Sequence, residues 1–541
     1  MRIWIKLLSI LLLISISLSK VNGQLVEARE SQPPIMGWAS WNHFHMDISE
    51  NVIRKQADAM VSSGLSVLGY KYINIDDGFF NGRYADGTLR LDTVKFPNGM
   101  KVVADYIHSK GLKAGFYTEA GSNTCGSMYD ASAGGVGAGL YNHEQQDIDL
   151  FFKNWGFDFL KIDYCGAQDQ RLDEETRYTS IRKAMNNTGV KGINLNICRW
   201  QFPGTWVTKL ADSWRISADI KPEWGRVCEI IDKNTYLAPY ASPGHYNDMD
   251  MLEVGRGMSL TEDKAHFSMW CLLSSPLMLG NDLTDVSAVA KSIISNVEII
   301  ALNQDISGEV QARLISEKSK GLQVWVKRIN GMQSNTRAVA LLNRTNQSAM
   351  MSVKWEELDL LGSATVRDLW SHTDLGQMDS VYMVEVPAHG VSVVKVEGKQ
   401  SLLQENFEAE YAWINNYNLT RFGNILPGQG DVVKEKKCSG GAKATWLGNG
   451  DENYIEFRNI YANKAGRYDL TLYYVCSNER DATVTVNGSK KIELSKLCSF
   501  DWKKVANVTL HLELLKGKNT IRISNSKNWL PDLDKIHINL N

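Results

Sequence analysis

The sequence has almost no surplus of charge. Lys and Arg number 59 against 61 Asp and Glu, a formal net charge of −2 over 541 residues. That balance gives no reason to expect nucleic acid or an anionic membrane surface as a partner. Cysteine is absent before Cys125, which argues against a lipid anchor on a processed N-terminal cysteine. After Gly23 no run is long and apolar enough to span a bilayer, so no membrane insertion is expected. There is no internal repeat, no low-complexity tract and no Gly-rich phosphate turn of the dinucleotide-binding kind. Histidine is scarce, with ten in all. The pair His43 and His45 follows the first strand-like run, but the later runs "NLNICRW" and "SWRISAD" end without His. His245 alone does not complete a ligand set, so metal-dependent hydrolysis is disfavoured and no catalytic cofactor is expected.

Aromatic residues, by contrast, are plentiful: 16 Trp and 20 Tyr. Flat rings stack on the CH faces of pyranoses, although packing alone can also use them. The N-terminus, residues 1–23, reads as a signal peptide. Arg2 and Lys6 form its charged start, Leu7 to Leu18 its apolar middle, and Val21-Asn22-Gly23 a cleavage site before Gln24. A secreted or periplasmic protein is expected, in an oxidising space where some of the eight Cys can pair. Asn343 and Asn418 head N-x-S/T triplets, which matter only in a eukaryotic secretory route.

From Gln24 onward, strand-like runs alternate with amphipathic helical ones. "SENVIRKQADAMVSSG" and "NGMKVVADYIHSKG" are helical by period; in the second, Val102, Val103, Tyr106 and Ile107 share a face and Gly111 stops the helix. Eight candidate strands precede residue 290, most followed by helix-like sequence. This pattern predicts an α/β fold, a (β/α)₈ TIM barrel over 24–307. Short alternating strands such as "LQVWVKRI", "RAVALLNR", "ATVRDLW" and "HGVSVVKVE" predict an antiparallel β domain over 308–398. "GKQSLLQEN" reads as a linker. Further alternating strands, from "EAEYA" to "PDLDKIHI", predict a C-terminal β-sandwich (jelly-roll) module over 403–541.

Polar side chains gather where the barrel strands end: Trp41, Asp76 and Asp77, Tyr117, Lys161 and Asp163, Arg199, Arg215 and Asp219, Asp248 and Asp250, Asn281 and Asp282. Those ends form one mouth, where barrel chemistry sits. In "FDFLKIDYCG" the alternation of Lys161, Asp163 and Cys165 points all three to one face. A mouth rich in Asp, Arg and aromatics suits a neutral polyol. Glycoside hydrolysis needs two carboxyl groups flanking the scissile bond, and Asp163 and Asp219 end different strands. Lys161 is expected to lower the pKa of Asp163 and keep it anionic.

On these residues the first 400 positions resemble the retaining α-galactosidases of glycoside hydrolase family twenty-seven. The matching segments are "PPIMGWASWN", "YINIDDGF", "GFYTEAGSNTC", "DFLKIDYC", "SWRISADI", "YNDMDML", "SSPLMLGNDL" and "IIALNQD". The resemblance implies Asp163 as nucleophile and Asp219 as general acid/base in a double displacement, with the two carboxyls about 5–5.5 Å apart. It implies that Asp76 and Asp77 grip the 4-OH and 6-OH of galactose, Trp41 closes the C6 side and Tyr117 lines the floor. Lys161 and Arg215 then donate near the 3-OH and 2-OH, Met251 touches substrate, and Cys125 pairs with Cys165. Two departures stand out. Gly78-Phe79 replaces the family's Cys-Trp, so one family disulfide is missing. Arg199 in Cys198-Arg199-Trp200 replaces a Glu that reads the 2-position, and a donor-only guanidinium cannot act as that acceptor. The expected substrate is a terminal α-galactoside, in an oligo- or polysaccharide. β-L-Arabinopyranosidase and α-N-acetylgalactosaminidase activities are the alternatives within the family. A non-catalytic sugar-binding protein is the alternative outside it, and the presence of both carboxyls argues against that.

The terminal region is similar to carbohydrate-binding modules of the family six and thirty-five type, through "FEAEYA" and "NWLPDLDKIHI". That similarity implies a structural calcium held by Glu408, Glu410 and Asp534, and Trp529 as a stacking platform.

Overall fold

The computed structural model describes residues 32–417 and 428–540. The predicted signal peptide and Asn418 lie outside these residues.

An eight-stranded parallel sheet forms the first layer. Its strands are β1 (Met36–Ala39), β2 (Tyr72–Asn74), β3 (Lys113–Glu119), β4 (Phe159–Asp163), β5 (Asn194–Ile197), β6 (Ser213–Arg215), β7 (Tyr246–Asp248) and β8 (Leu277–Leu279). They fall in the eight runs that the alternation predicts. The edge strands meet through Leu252, which donates to Met278 O at 2.7 Å and accepts from Gly280 N at 3.1 Å, and forms a parallel bridge to Leu279. This bridge, just beyond the end of β7, joins the two edges of the curled sheet.

Helices cover the outside. Glu50–Ser62 starts at Ser49, whose hydroxyl accepts from Val52 N, and lays Ile53, Ala57 and Met60 on the sheet, fully buried. Burying Ile53 and Met60 contributes roughly 1.5–3 kcal/mol each. In Gly99–Ser109 the buried stripe is Met100, Val103, Ala104 and Ile107. The expected face was therefore rotated: Val102 is 39% exposed, and Tyr106 donates its hydroxyl to Asp58. The fifth unit departs from the pattern. Between β5 and β6 the described chain makes only a 3₁₀ turn, Thr205–Lys209, where every other strand is followed by α-helix.

The next region is antiparallel. A six-stranded sheet faces the two-stranded pair Ala349–Lys354 and Val381–Val386, and Val324, Val339, Leu341, Val353 and Val394 pack between them. The last strand of that sheet runs Val391–Ser401, with Gln400 and Ser401 paired to Leu361 and Leu360. The predicted linker therefore begins later than residue 398, because its first residues still find ladder partners. Asn343 is fully buried and donates its amide to Val386 O and Gln347 O, so it is no accessible acceptor for a glycan. Two further antiparallel sheets stack as a sandwich. In "EAEYA" a strand gives way to a 3₁₀ turn at Ala409–Tyr411. One apolar cluster runs continuously from barrel residues such as Trp38 to sandwich residues such as Ile538.

Candidate active site

The C-terminal ends of the strands open onto a cavity of about 380 Å³. Trp41, from the short helix after β1, lines it, as do Asp76 and Asp77 beyond β2 and Tyr117 on β3. Lys161 and Asp163 enter from β4, Arg215 from β6, Asp219 just beyond β6, and Asp250 and Met251 beyond β7. The register Tyr117↔Lys161 and Glu119↔Asp163 between β3 and β4 puts these side chains on the inward face, since strand side chains alternate.

Two buried cations organise the carboxylates. Lys161 Nζ lies 2.8 Å from Asp76 Oδ2 and 3.7 Å from Asp163 Oδ1. Arg215 Nη2 lies 2.8 Å from Asp250 Oδ2 and 2.9 Å from Asp219 Oδ1. Asp163 is 6% exposed, and its Oδ1 accepts no hydrogen bond. Burial pushes the Asp163 carboxyl up to about 7, against the pull of Lys161 and with the like charge of Asp76. The expectation that Lys161 holds Asp163 low is thus corrected: Lys161 does pull in that direction, but lost hydration outweighs it, and the ammonium makes its closest contact with Asp76. Asp219 behaves oppositely. Desolvation would raise it, but the Arg215 charge, aided by Lys161, holds it below the usual carboxylate range.

A third acid was not foreseen. Glu119 accepts from Gly121 N (2.9 Å), Cys165 N (2.9 Å) and Ala167 N (3.2 Å), tying the loop after β3 to the segment after Asp163. Burial pushes its carboxyl up to about 8, opposed by those N–H donors. The loops approach so closely that a Cβ on Gly121 would meet Ala167 N at 2.1 Å. Cys125 and Cys165 form a disulfide here, with Cα atoms 5.3 Å apart. Their sulfurs are bonded to each other, so with Glu119 they offer no thiolate set for a metal. His43 and His45 make ring contacts with Phe44 and Trp41.

Arg199 is not brought into the cavity. Its Nε is 2.5 Å from Glu174 Oε1 and its Nη1 is 3.2 Å from Gln168 Oε1, with the guanidinium over the Tyr164 ring. Trp200 lines the wall instead. Asn281 and Asp282 also turn away, to Val254 O and Gln56, and Asp248 holds Asn196 in the barrel interior. Asp250 was among the polar residues expected at the strand ends, but its pairing with Arg215 was not. The one signal for it was alternation in "NDMD", the pattern that also marks "KID".

Glu408 and Asp534, on the first and last strands of the sandwich, share Ser439 as a partner, and Glu410 follows in the next turn. Glu408 Oε1 accepts from Ser439 Oγ, and Asp534 Oδ1 from Ser439 N. Glu408 Oε2 and both oxygens of Glu410 are buried without partners. Burial raises all three carboxyls, with mutual repulsion adding to the shift of Glu410 and Asp534. Orphaned acceptors of one sign are costly unless a cation joins them, so the three have the charge and oxygen ligands of a hard divalent site, but their oxygens are not drawn within 4.8 Å of one another as a single coordination sphere requires. Trp529 stands edge-on to Trp446, with ring centroids 5.9 Å apart, and Trp446 is 50% exposed.

Comparison with known proteins bears on this geometry. The family described as α-galactosidase A matches residues 33–305, and the α-galactosidase C-terminal β-sandwich domain matches 319–396. The chain belongs to the α-galactosidase family. An α-galactosidase of Oryza sativa is 41% identical over 354 residues, 64% of this chain and 81% of its own length. The crystal structure of α-galactosidase I from Mortierella vinacea superposes with a TM-score of 0.64 at 34% identity, covering 70% of this chain and all of that one. A β-L-arabinopyranosidase of Geobacillus stearothermophilus shares the fold, with a TM-score of 0.60 at 22% identity over 68% of this chain and 97% of its own. The α-galactosidase barrel is thus the setting of the cavity, and the α-galactosidase C-terminal domain is the sheet region that follows it.

Proposed function

We propose that the protein is a secreted, retaining exo-glycosidase that removes terminal α-D-galactosyl residues by double displacement. The single observation that carries this reading is the unpartnered Asp163 Oδ1, on a carboxyl group whose residue lines the same cavity as Asp219. An oxygen that accepts nothing keeps a lone pair for an anomeric carbon.

In the first step Asp163 Oδ1 bonds to C1 while the C1–O bond to the leaving group breaks. Asp219 delivers its proton to the departing oxygen. In the second step Asp219 takes a proton from water, the water oxygen bonds to C1, and Asp163 leaves as carboxylate. Asp76 and Asp77 would hold the 4-OH and 6-OH, and Lys161 the adjacent 3-OH. Arg215 would donate near the 2-OH, Trp41 and Met251 would take the apolar edges, and Tyr117 the floor. Glu408, Glu410 and Asp534 would hold a calcium that cross-links the first and last strands of the sandwich. The paired Trp446 and Trp529 support sugar stacking there.

A panel of nitrophenyl glycosides, followed by proton NMR of the first-released anomer, tests the reading. Cleavage of the α-galactoside with α-galactose released first is expected. Release of β-galactose first would overturn retention. Cleavage confined to the β-L-arabinopyranoside or the α-N-acetylgalactosaminide would overturn the substrate.

A further inference from the structure

The barrel is missing one outer helix, and the sandwich fills the gap. Loop 198–204 has no regular structure between β5 and the 3₁₀ turn Thr205–Lys209. Its conformation must therefore come from contacts. Trp200 lines the cavity with φ of +60°, the left-handed region, which a bulky residue keeps only where its surroundings force it. Two residues on, Phe202 is buried at 3% exposure. Its ring lies 5.0 Å from Tyr240 of the barrel and 6.0 Å from Tyr417 of the sandwich. Tyr240 and Tyr417 stack at 5.3 Å with an 18° interplanar angle. Thr205 Oγ1 donates to Asn415 O at 2.6 Å, and Tyr240 Oη to Ile414 O at 3.2 Å.

We propose that the C-terminal sandwich is a positioning element of the active site. Through Tyr417 and Asn415 it clamps loop 198–205 in place of the absent helix and so holds Trp200 in the cavity wall. The proposal rests on the reading that this cavity binds the galactoside. Tyr417 is a positioning residue; it touches no lining side chain named above other than through Phe202. Because Trp200 is a wall residue rather than a reacting group, its loss weakens ground-state and transition-state binding alike. That signature is a raised KM with kcat unchanged.

The test is steady-state kinetics on nitrophenyl α-galactoside with the full chain. Tyr417→Ala and Trp200→Ala are each expected to raise KM about 3–10-fold with kcat within about twofold. The double variant is expected to be no worse than Trp200→Ala alone, because both changes remove one arrangement. Tyr417→Phe, which keeps the ring, restores the wild-type KM. Should Tyr417→Ala not fold, Thr205→Val, which loses only the bond to Asn415 O, is expected to raise KM by about twofold. A wild-type KM in Tyr417→Ala, or in Thr205→Val where the first variant does not fold, overturns the proposal. So do KM increases that multiply in the double variant. An unmutated enzyme inactive on this substrate overturns the functional reading and the proposal together, whereas the other outcomes touch the proposal alone.

Discussion

The Lys161 ammonium stands 2.8 Å from the Asp76 carboxylate, joining the ends of β4 and β2. Both side chains are largely buried, at 19% and 6% exposure. Lys161→Met leaves Asp76 buried without its cation. A loss of about 2–4 kcal/mol in kcat/KM, roughly 10²-fold, is expected, read from initial rates on an aryl α-galactoside. A loss below about threefold would show that the pair is structural only.

The two carboxyls have been pushed apart, Asp163 up to about 7 and Asp219 below its ordinary value. Between those limits the free pair carries one proton, held on Asp163 rather than Asp219, so the proposed double displacement requires that proton to pass to Asp219 once substrate displaces water from the cavity. A bell-shaped kcat/KM profile is expected, with its alkaline limb near pH 7 and its acidic limb below about pH 4. A profile flat to pH 9 would contradict the shift on Asp163.

The same burial acts on stability. Asp163 has a folded pKa above its unfolded value of about 3.9. As pH rises from about 4 to 7 the unfolded chain loses this proton first, so the native state loses stability across that window and the full penalty stands above it. Asp163→Asn removes the penalty while abolishing activity. Its melting temperature is expected to exceed that of the parent by a margin that grows from pH 4 to pH 7 and then levels, worth about 1–3 kcal/mol. Scanning calorimetry at several pH values reads this directly; a variant less stable at pH 8 would count against it.

Arg199 is engaged by Glu174 and Gln168 rather than by the cavity. Arg199→Ala is expected to leave kcat/KM on α-galactosides within about threefold and to cost at most about 1 kcal/mol of stability. A larger loss on the galactoside than on a 2-deoxygalactoside would instead place Arg199 at the sugar's 2-position.

Which of these features the sequence could reveal follows from the physics of each. All eight barrel strands were legible because buried runs, helix stops and polar strand ends recur with a fixed rhythm. Lys161 and Asp163 were placed on one face by the period of two, and the pairing of Cys125 with Cys165 was implied by family resemblance. The fate of Arg199 is not legible: a guanidinium two residues past a strand can turn either way, and Glu174, which captures it, is 25 residues distant in the chain. The direction of the Asp163 shift is not legible, because sequence displays the neighbouring charge but not the lost water. Likewise Glu119 looked like any strand-end acid until three backbone N–H groups converged on it.

The sandwich acids make a separate prediction. Glu410 offers two buried oxygens without donors. Calcium added to chelator-treated protein is expected to raise the melting temperature, worth about 2.7 kcal/mol at a hundredfold excess over Kd. Glu410→Gln should abolish that response. An unchanged melting curve would leave these acids without a metal.

The central claim is that Asp163 becomes covalently galactosylated. Incubation with a 2-fluorinated galactosyl fluoride, then proteolysis and peptide mass spectrometry, tests it most directly. A single fluorogalactosyl adduct on the peptide carrying Lys161-Ile162-Asp163 is predicted, absent from Asp163→Asn. An adduct on Asp219 or Glu119, or none in an enzyme that remains active, would contradict it.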